Sequence, residues 1–174
     1  MAVQQQMGSQ SYYRIVETLR NALLESPSIN FVSVGDISDV DLDKQTMFPL
    51  AHIIVGNATF QSTIINYQIS ILIMDLVHDD LGEEHEPYIY QNSTEIYVLN
   101  QMLNVGNHLT DRLFNGDLYD GNTFVDRGSV TAEPFRDRFE NQMAGWSFNF
   151  TLTTRNNIDR CDTPSNVTPQ DPNT

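Results

Sequence analysis

Cations are scarce in this chain. Of 174 residues only nine are Lys or Arg, against 23 Asp or Glu, which gives a formal net charge of -14. A hold on a phosphate backbone needs clustered cations, so an electrostatic grip on nucleic acid is excluded on average. The same charge suits an acidic wall past which a polyanion slides without sticking. Cysteine is almost missing: Cys161 stands alone, which excludes an internal disulfide framework and suits a reducing compartment. No apolar run approaches membrane-spanning length. The first ten residues carry neither a basic region nor an apolar core, so the expectation is a chain without a secretory signal. The glycosylation patterns at Asn57, Asn92, Asn149 and Asn166 are therefore read as chance. Also missing are a nucleophile elbow, a phosphate-binding glycine loop, a paired-cysteine motif and a spaced His-Glu-His set. Internal repeats of the solenoid kind are absent too.

What is present is a strong strand pattern around the middle of the chain. Ile65, Tyr67, Ile69, Ile71 and Ile73 fall on one face of a strand and Asn66, Gln68 and Ser70 on the other. This period of two marks a half-buried strand that needs a cover. Upstream, Met47-Phe-Pro-Leu-Ala-His-Ile-Ile-Val55 is apolar on both faces and β-branched towards its end, as expected of a strand inside a sheet. The polar stretch Gly56 to Ser62 is predicted to connect the two as a long hairpin. His52, mid-strand between Leu50 and Ile54, reads as a hydrogen-bonded sheet residue, and His108 has no obvious partner.

The flanks are predicted as follows. Ser11 caps a helix whose apolar positions are Tyr12, Ile15, Val16, Leu19, Ala22 and Leu23, and Pro27 ends it. Phe31 to Gly35 is a short strand. Asn92 and Glu95 form a capping-box pattern at the start of a second helix with the stripe Ile96, Leu99, Met102, Leu103, Leu109 and Leu113, stopped at Asn115-Gly116. Gly106 lies in that stripe, as a tolerated helix glycine or as a point of close backbone approach. A turn-rich segment over 117–128 leads to two strands, 129–133 and 135–142. Trp146, Phe148, Phe150 and Leu152 then alternate with Ser147, Asn149, Thr151 and Thr153 in a strand that completes the core sheet. The expected fold is α+β: a mostly antiparallel twisted sheet with a long central β-hairpin, covered by two helices. A single domain over 11–160 is expected, with a polar N-terminal arm over 1–10 and a Pro-rich polar tail over 161–174 that cannot bury enough apolar surface to order itself.

Two acidic stretches invite a metal reading. Asp39, Asp41 and Asp43 alternate within the loop 36–43, but the glycine turn and closing glutamate of an EF-type loop are missing, so a solvated loop is expected. His78, Asp79, Asp80 and His85 sit in the densest polar cluster of the chain. They match no zinc spacing, and no cofactor is expected.

The order of elements, with Phe48-Pro-Leu-Ala-His-Ile-Ile-Val55 opening the hairpin and Gly145-Trp-Ser-Phe-Asn-Phe150 opening the last strand, resembles the tail terminator and head–tail joining proteins of tailed bacteriophages. The resemblance covers residues 11–160. It implies a structural, non-enzymatic virion protein of the neck or tail, assembled in the bacterial cytoplasm without a membrane. It implies a ring of six or twelve copies between a portal, adaptor or stopper and the tail proteins, with DNA passing through the lumen. On that reading the interface candidates are Asn57, Thr59 and Gln61 in the connector, Arg136, Arg138 and Glu140 in the charged ribbon, and Arg155 and Arg160 leading into the tail. The long polar tails and the loops over 78–91 and 117–130 depart from the family pattern and leave the ring position open. Within the same class, a short-tailed phage ring stacked below the portal fits as well. A metal-dependent hydrolase or ligand-binding domain using His78, Asp79, Asp80 and His85 is the alternative of another class.

Overall fold

The computed structural model describes residues 10–37, 45–77, 93–115, 118, 123–125, 130–137 and 142–155. The arm over 1–9, the metal candidates His78, Asp79, Asp80 and His85, and Arg138, Glu140 and Arg160 lie outside the described residues, as do residues 39–43 and the tail over 161–174.

The fold is α+β. Helix α1 (Gln10–Leu24) precedes strands β1 (Phe31–Val34), β2 (Leu50–Phe60) and β3 (Ile64–Leu76); helix α2 (Ser93–Asn115) follows, then β4 (Thr123–Val125), β5 (Thr131–Asp137) and β6 (Met143–Arg155). Among the described residues the strands form one six-stranded sheet in the order β1-β2-β3-β6, with β4 and β5 lying end to end along the outer side of β6. Only the β1–β2 pair is parallel; the others run antiparallel, as expected of a mostly antiparallel sheet. The long β3–β6 ladder, from Ile64 opposite Arg155 to Leu76 opposite Met143, is the spine of the sheet.

Both helices cover the same face. From α1 come Ile15, Leu19 and Leu23, and from α2 Val98, Met102, Val105, Leu109 and Leu113; they pack on Ile53, Ile69, Ile71, Ile73, Phe148, Phe150 and Leu152. The alternation in β3 and β6 places its apolar set on this face, as the period of two requires. Leu99, Met102, Leu103, Leu109 and Leu113 of the expected α2 stripe lie in or against the core. Val98 and Val105 are buried and Ile96 is exposed. Tyr12 of α1 is also exposed, and that helix begins at Gln10, so Ser11 lies inside it and is not its cap.

Two glycines set how closely the layers approach. A methyl group on Gly106 would fall 1.9 Å from Cζ of Phe148 and within 2.5 Å of two further ring atoms, so α2 lies on the Phe148 ring at the one place where it has no side chain. The indole N–H of Trp146 donates to the Leu99 carbonyl at 2.8 Å, tying the same strand to the same helix. Within the sheet, a methyl on Gly145 would fall 2.2 Å from the Ile73 carbonyl oxygen and 2.8 Å from Met74 Cα.

Three expectations are corrected. The stretch over 56–62 is not a connector: β2 continues to Phe60, and the turn is confined to residues 61–63, closed by Gln61 N–H donating to the Ile64 carbonyl at 2.8 Å. Gly56 and Asn57 together oppose Gln68, a bulge that keeps the strand paired while its polar residues pass through. A strand, β4, lies in the segment expected to be only turns. Where two strands were expected at 129–133 and 135–142, one strand, β5, runs through Pro134. Proline is tolerated there because β5 is an edge, where its missing N–H interrupts no second ladder.

Candidate assembly surface

The face of the sheet opposite the helices has a smaller apolar cluster at one end only: Phe48, Leu50, Met74, Leu76 and Met143, with Ile37, Met47, Leu72 and Phe135 against it. Beyond it the centre of the face is polar, with Glu133 opposite Ser147 and Arg155 opposite Ile64 as its charged residues among those described. Ser70 Oγ donates to Asn149 Oδ1 at 2.6 Å, Asn149 Nδ2 donates to Ser147 Oγ at 3.2 Å, and Thr153 Oγ1 donates to Asn66 Oδ1 at 2.8 Å. Such cross-strand pairs stabilise the sheet by a few tenths to about 1 kcal/mol each and leave a face that water or a neighbouring chain can meet.

His52 also points to this side, fully buried. Its Nε2 lies 3.1 Å from the Gly35 carbonyl and its Nδ1 2.7 Å from Ser33 Oγ. A carbonyl only accepts, so Nε2 carries the proton, Nδ1 accepts, and the Ser33 hydroxyl donates to it. The expected hydrogen-bonded sheet histidine is what the structure holds; Ser33 and Gly35 as its partners had no signal in the sequence, because they depend on the parallel register of β1. A hydroxyl beside an imidazole is the beginning of a nucleophile–base pair. Here the imidazole has no exposed surface and both its nitrogens are engaged, so the pair acts as a clasp holding β1 and Gly35 onto β2.

Burial pushes the His52 pKa below its usual 6.5, against the smaller opposing effects of the Gly35 bond and of Asp36. The unfolded chain therefore takes up this proton at a higher pH than the folded one does. This histidine costs nothing above the usual value and destabilises the fold progressively as the pH falls below it. Urea titrations between pH 7.5 and 5 should show wild type losing stability relative to His52→Asn, by at most about 1.4 kcal/mol per pH unit. Parallel pH profiles for the two would contradict this.

The interface candidates sit as follows. Asn57 and Thr59 are exposed on the distal part of β2, and Gln61 is exposed in the turn after it. Arg155 is exposed at the end of β6. Arg136, on β5, reaches over to the start of α2, where its Nε lies 2.6 Å from Glu95 Oε1. That carboxylate is largely buried and the guanidinium half exposed. Glu95 thus ties the edge strand to the helix; Asn92, its expected partner in a capping box, lies outside the described residues. Near the other end of α2, Arg112 Nη1 lies 2.8 Å from Glu25 Oε2, just beyond the end of α1.

Among the described residues, no group of three His, Cys, Asp or Glu side chains is placed to hold a metal ion. No helix among them is long and apolar enough to cross a membrane.

No family model and no curated protein matches the chain. Its function is therefore argued from its own surface.

Proposed function

We propose that the chain is a structural virion protein of a tailed bacteriophage, a tail terminator or head–tail connector subunit that forms a ring around the DNA passage and performs no catalysis. The observation that carries this reading is the one-sided sheet. Both helices pack on one face, while among the described residues the other carries a row of hydrogen-bonded polar side chains, Glu133 and Arg155 towards its margins, and an apolar cluster at one end. A slab of this form leaves a face and edges on which identical neighbours can complete the packing, and identical head-to-tail contacts close into a ring when the rotation permits. The order of elements, with the long β2–β3 hairpin at the centre and β6 completing the sheet, is the order on which the phage resemblance rests. The charge of -14 supports a lumen that DNA traverses without binding.

Electron microscopy of the purified full chain tests this. Rings of uniform diameter with an open centre are the expected result. Dispersed single chains with a stoichiometric metal would overturn it in favour of the metal-dependent alternative. A ring that stacks directly on a portal in reconstitution would place it in the short-tailed arrangement.

A further inference from the structure

The two edges of the sheet differ. On the outer side of β6, β5 carries Glu133, Arg136 and Asp137, and Pro134 denies an incoming strand one N–H. Charge and proline are the usual protections of an edge against pairing. On the other side, β1 covers β2 only from Leu50 to Ile53, and the last bond there is from Gly35 N–H to the Ile53 carbonyl at 3.1 Å. Gly35, with a φ of 123°, then ends the covering strand. Residues 54–60 of β2 continue with β3 on one side and no described strand on the other. This open edge has neither charge nor proline; Phe60 at its end is 68 % exposed.

The lack of charge extends further. Between Lys44 and Asp75 the chain has no Asp, Glu, Lys or Arg, although its net charge is -14. Two copies of so acidic a chain repel one another, and the repulsion is least where each presents uncharged surface. A cationic partner would gain nothing from this stretch. A second copy offering the same stretch meets no like charge and finds the same backbone donors and acceptors, on which no described strand lies.

We infer that residues 54–60 of β2 are a self-association edge, on which the same segment of a second copy pairs antiparallel about a two-fold axis. The contact makes one sheet continuous across two chains. The bulge at Gly56 and Asn57 divides it, leaving Ala58, Thr59 and Phe60 as its regular part. A two-fold contact pairs chains and cannot by itself close a ring, so this goes beyond the ring reading and stands or falls separately from it.

Sedimentation velocity over a concentration series tests it on the full chain, with Thr59→Glu, Phe60→Asp and the uncharged Thr59→Val. Thr59 and Phe60 are exposed, so these changes leave the core untouched, and circular dichroism with a thermal melt checks that the fold is kept. Wild type and Thr59→Val are expected to form dimers or even-numbered assemblies. The two acidic variants are expected to weaken the dissociation constant of the pair by about tenfold or more, because each places like charges across the axis. Rings from wild type that fall into half-size assemblies in the acidic variants support both the edge and the ring. Dimers that do not close, but dissociate in the same variants, support the edge and count against the ring. Acidic variants that associate as strongly as wild type overturn the edge and leave the ring to another surface. A wild type that stays monomeric throughout overturns the edge.

Discussion

Replacing Gly145 with alanine is expected to destabilise the protein by about 3 kcal/mol or more, at or beyond the upper end of overpacking costs. The new methyl group would fall 2.2 Å from the Ile73 carbonyl oxygen and 2.8 Å from Met74 Cα, both main-chain atoms of β3. They cannot move aside as a side chain can, since β3 is held on both flanks, by β2 and by β6. Relief requires the β3–β6 ladder to open where Gly145 opposes Met74, with Phe135 of β5 opposite the same glycine on the other side. For a chain of this size the melting temperature should fall by roughly 6–12 °C. Denaturant unfolding of the variant measures this, and a loss below about 1 kcal/mol would show that the strands are not in this register.

Gly106→Ala should also destabilise, for a different reason and in a reversible way. In an open helix the change would gain about 1 kcal/mol from propensity. Here the methyl would meet three atoms of the Phe148 ring at 1.9–2.5 Å, and α2 must lift from the sheet or the ring must leave its place. The overpacking cost of about 1–3 kcal/mol exceeds or offsets the helical gain, and the expected net loss is up to about 2 kcal/mol. The obstacle is a side chain, so Phe148→Leu should remove it. In that background Gly106→Ala is expected to be neutral or stabilising, a coupling of about 1–3 kcal/mol in a double-mutant cycle. Additive effects of the two changes would mean that helix and ring do not meet at Gly106.

These two glycines also show where the sequence could be read and where it could not. The alternations Ile65 to Ile73 and Trp146 to Leu152 were legible because a strand with one covered face must place apolar residues at every second position, and both strands are long enough to display it. The same alternation could not reveal that β2 runs on through Gly56 to Phe60, since this part pairs with β3 while exposing its side chains, and the bulge at Gly56 and Asn57 breaks the period of two. Pro134 suggested a break between two strands; edge position made it harmless, and edge position is a property of the whole sheet. For α2, spacing identified the helix and all of its expected core positions but Ile96. Val98 and Val105 rather than Ile96 turn inward because Phe148 must lie against Gly106, a constraint from β6 that no local window contains.

Of the candidate surface, the charge-free run between Lys44 and Asp75 is readable in the sequence and its geometry is not. Asn57 and Thr59 read as connector residues in the sequence and lie instead on a paired strand with no described strand on its other side. Arg136 was picked out for an outer contact, and the structure shows it also serving its own chain, paired with Glu95 across β5 and α2. Ser33 carries no readable signal, because a lone serine in a short strand has no pattern, yet it orients the buried His52.

The central claim is that this chain works by assembling with copies of itself. Native mass spectrometry across a concentration series tests it most directly, because one spectrum reports both the number of chains and anything they retain. The account predicts a closed oligomer of discrete copy number, without a stoichiometric metal or ligand. A single chain at every concentration, carrying one metal ion each, would contradict it.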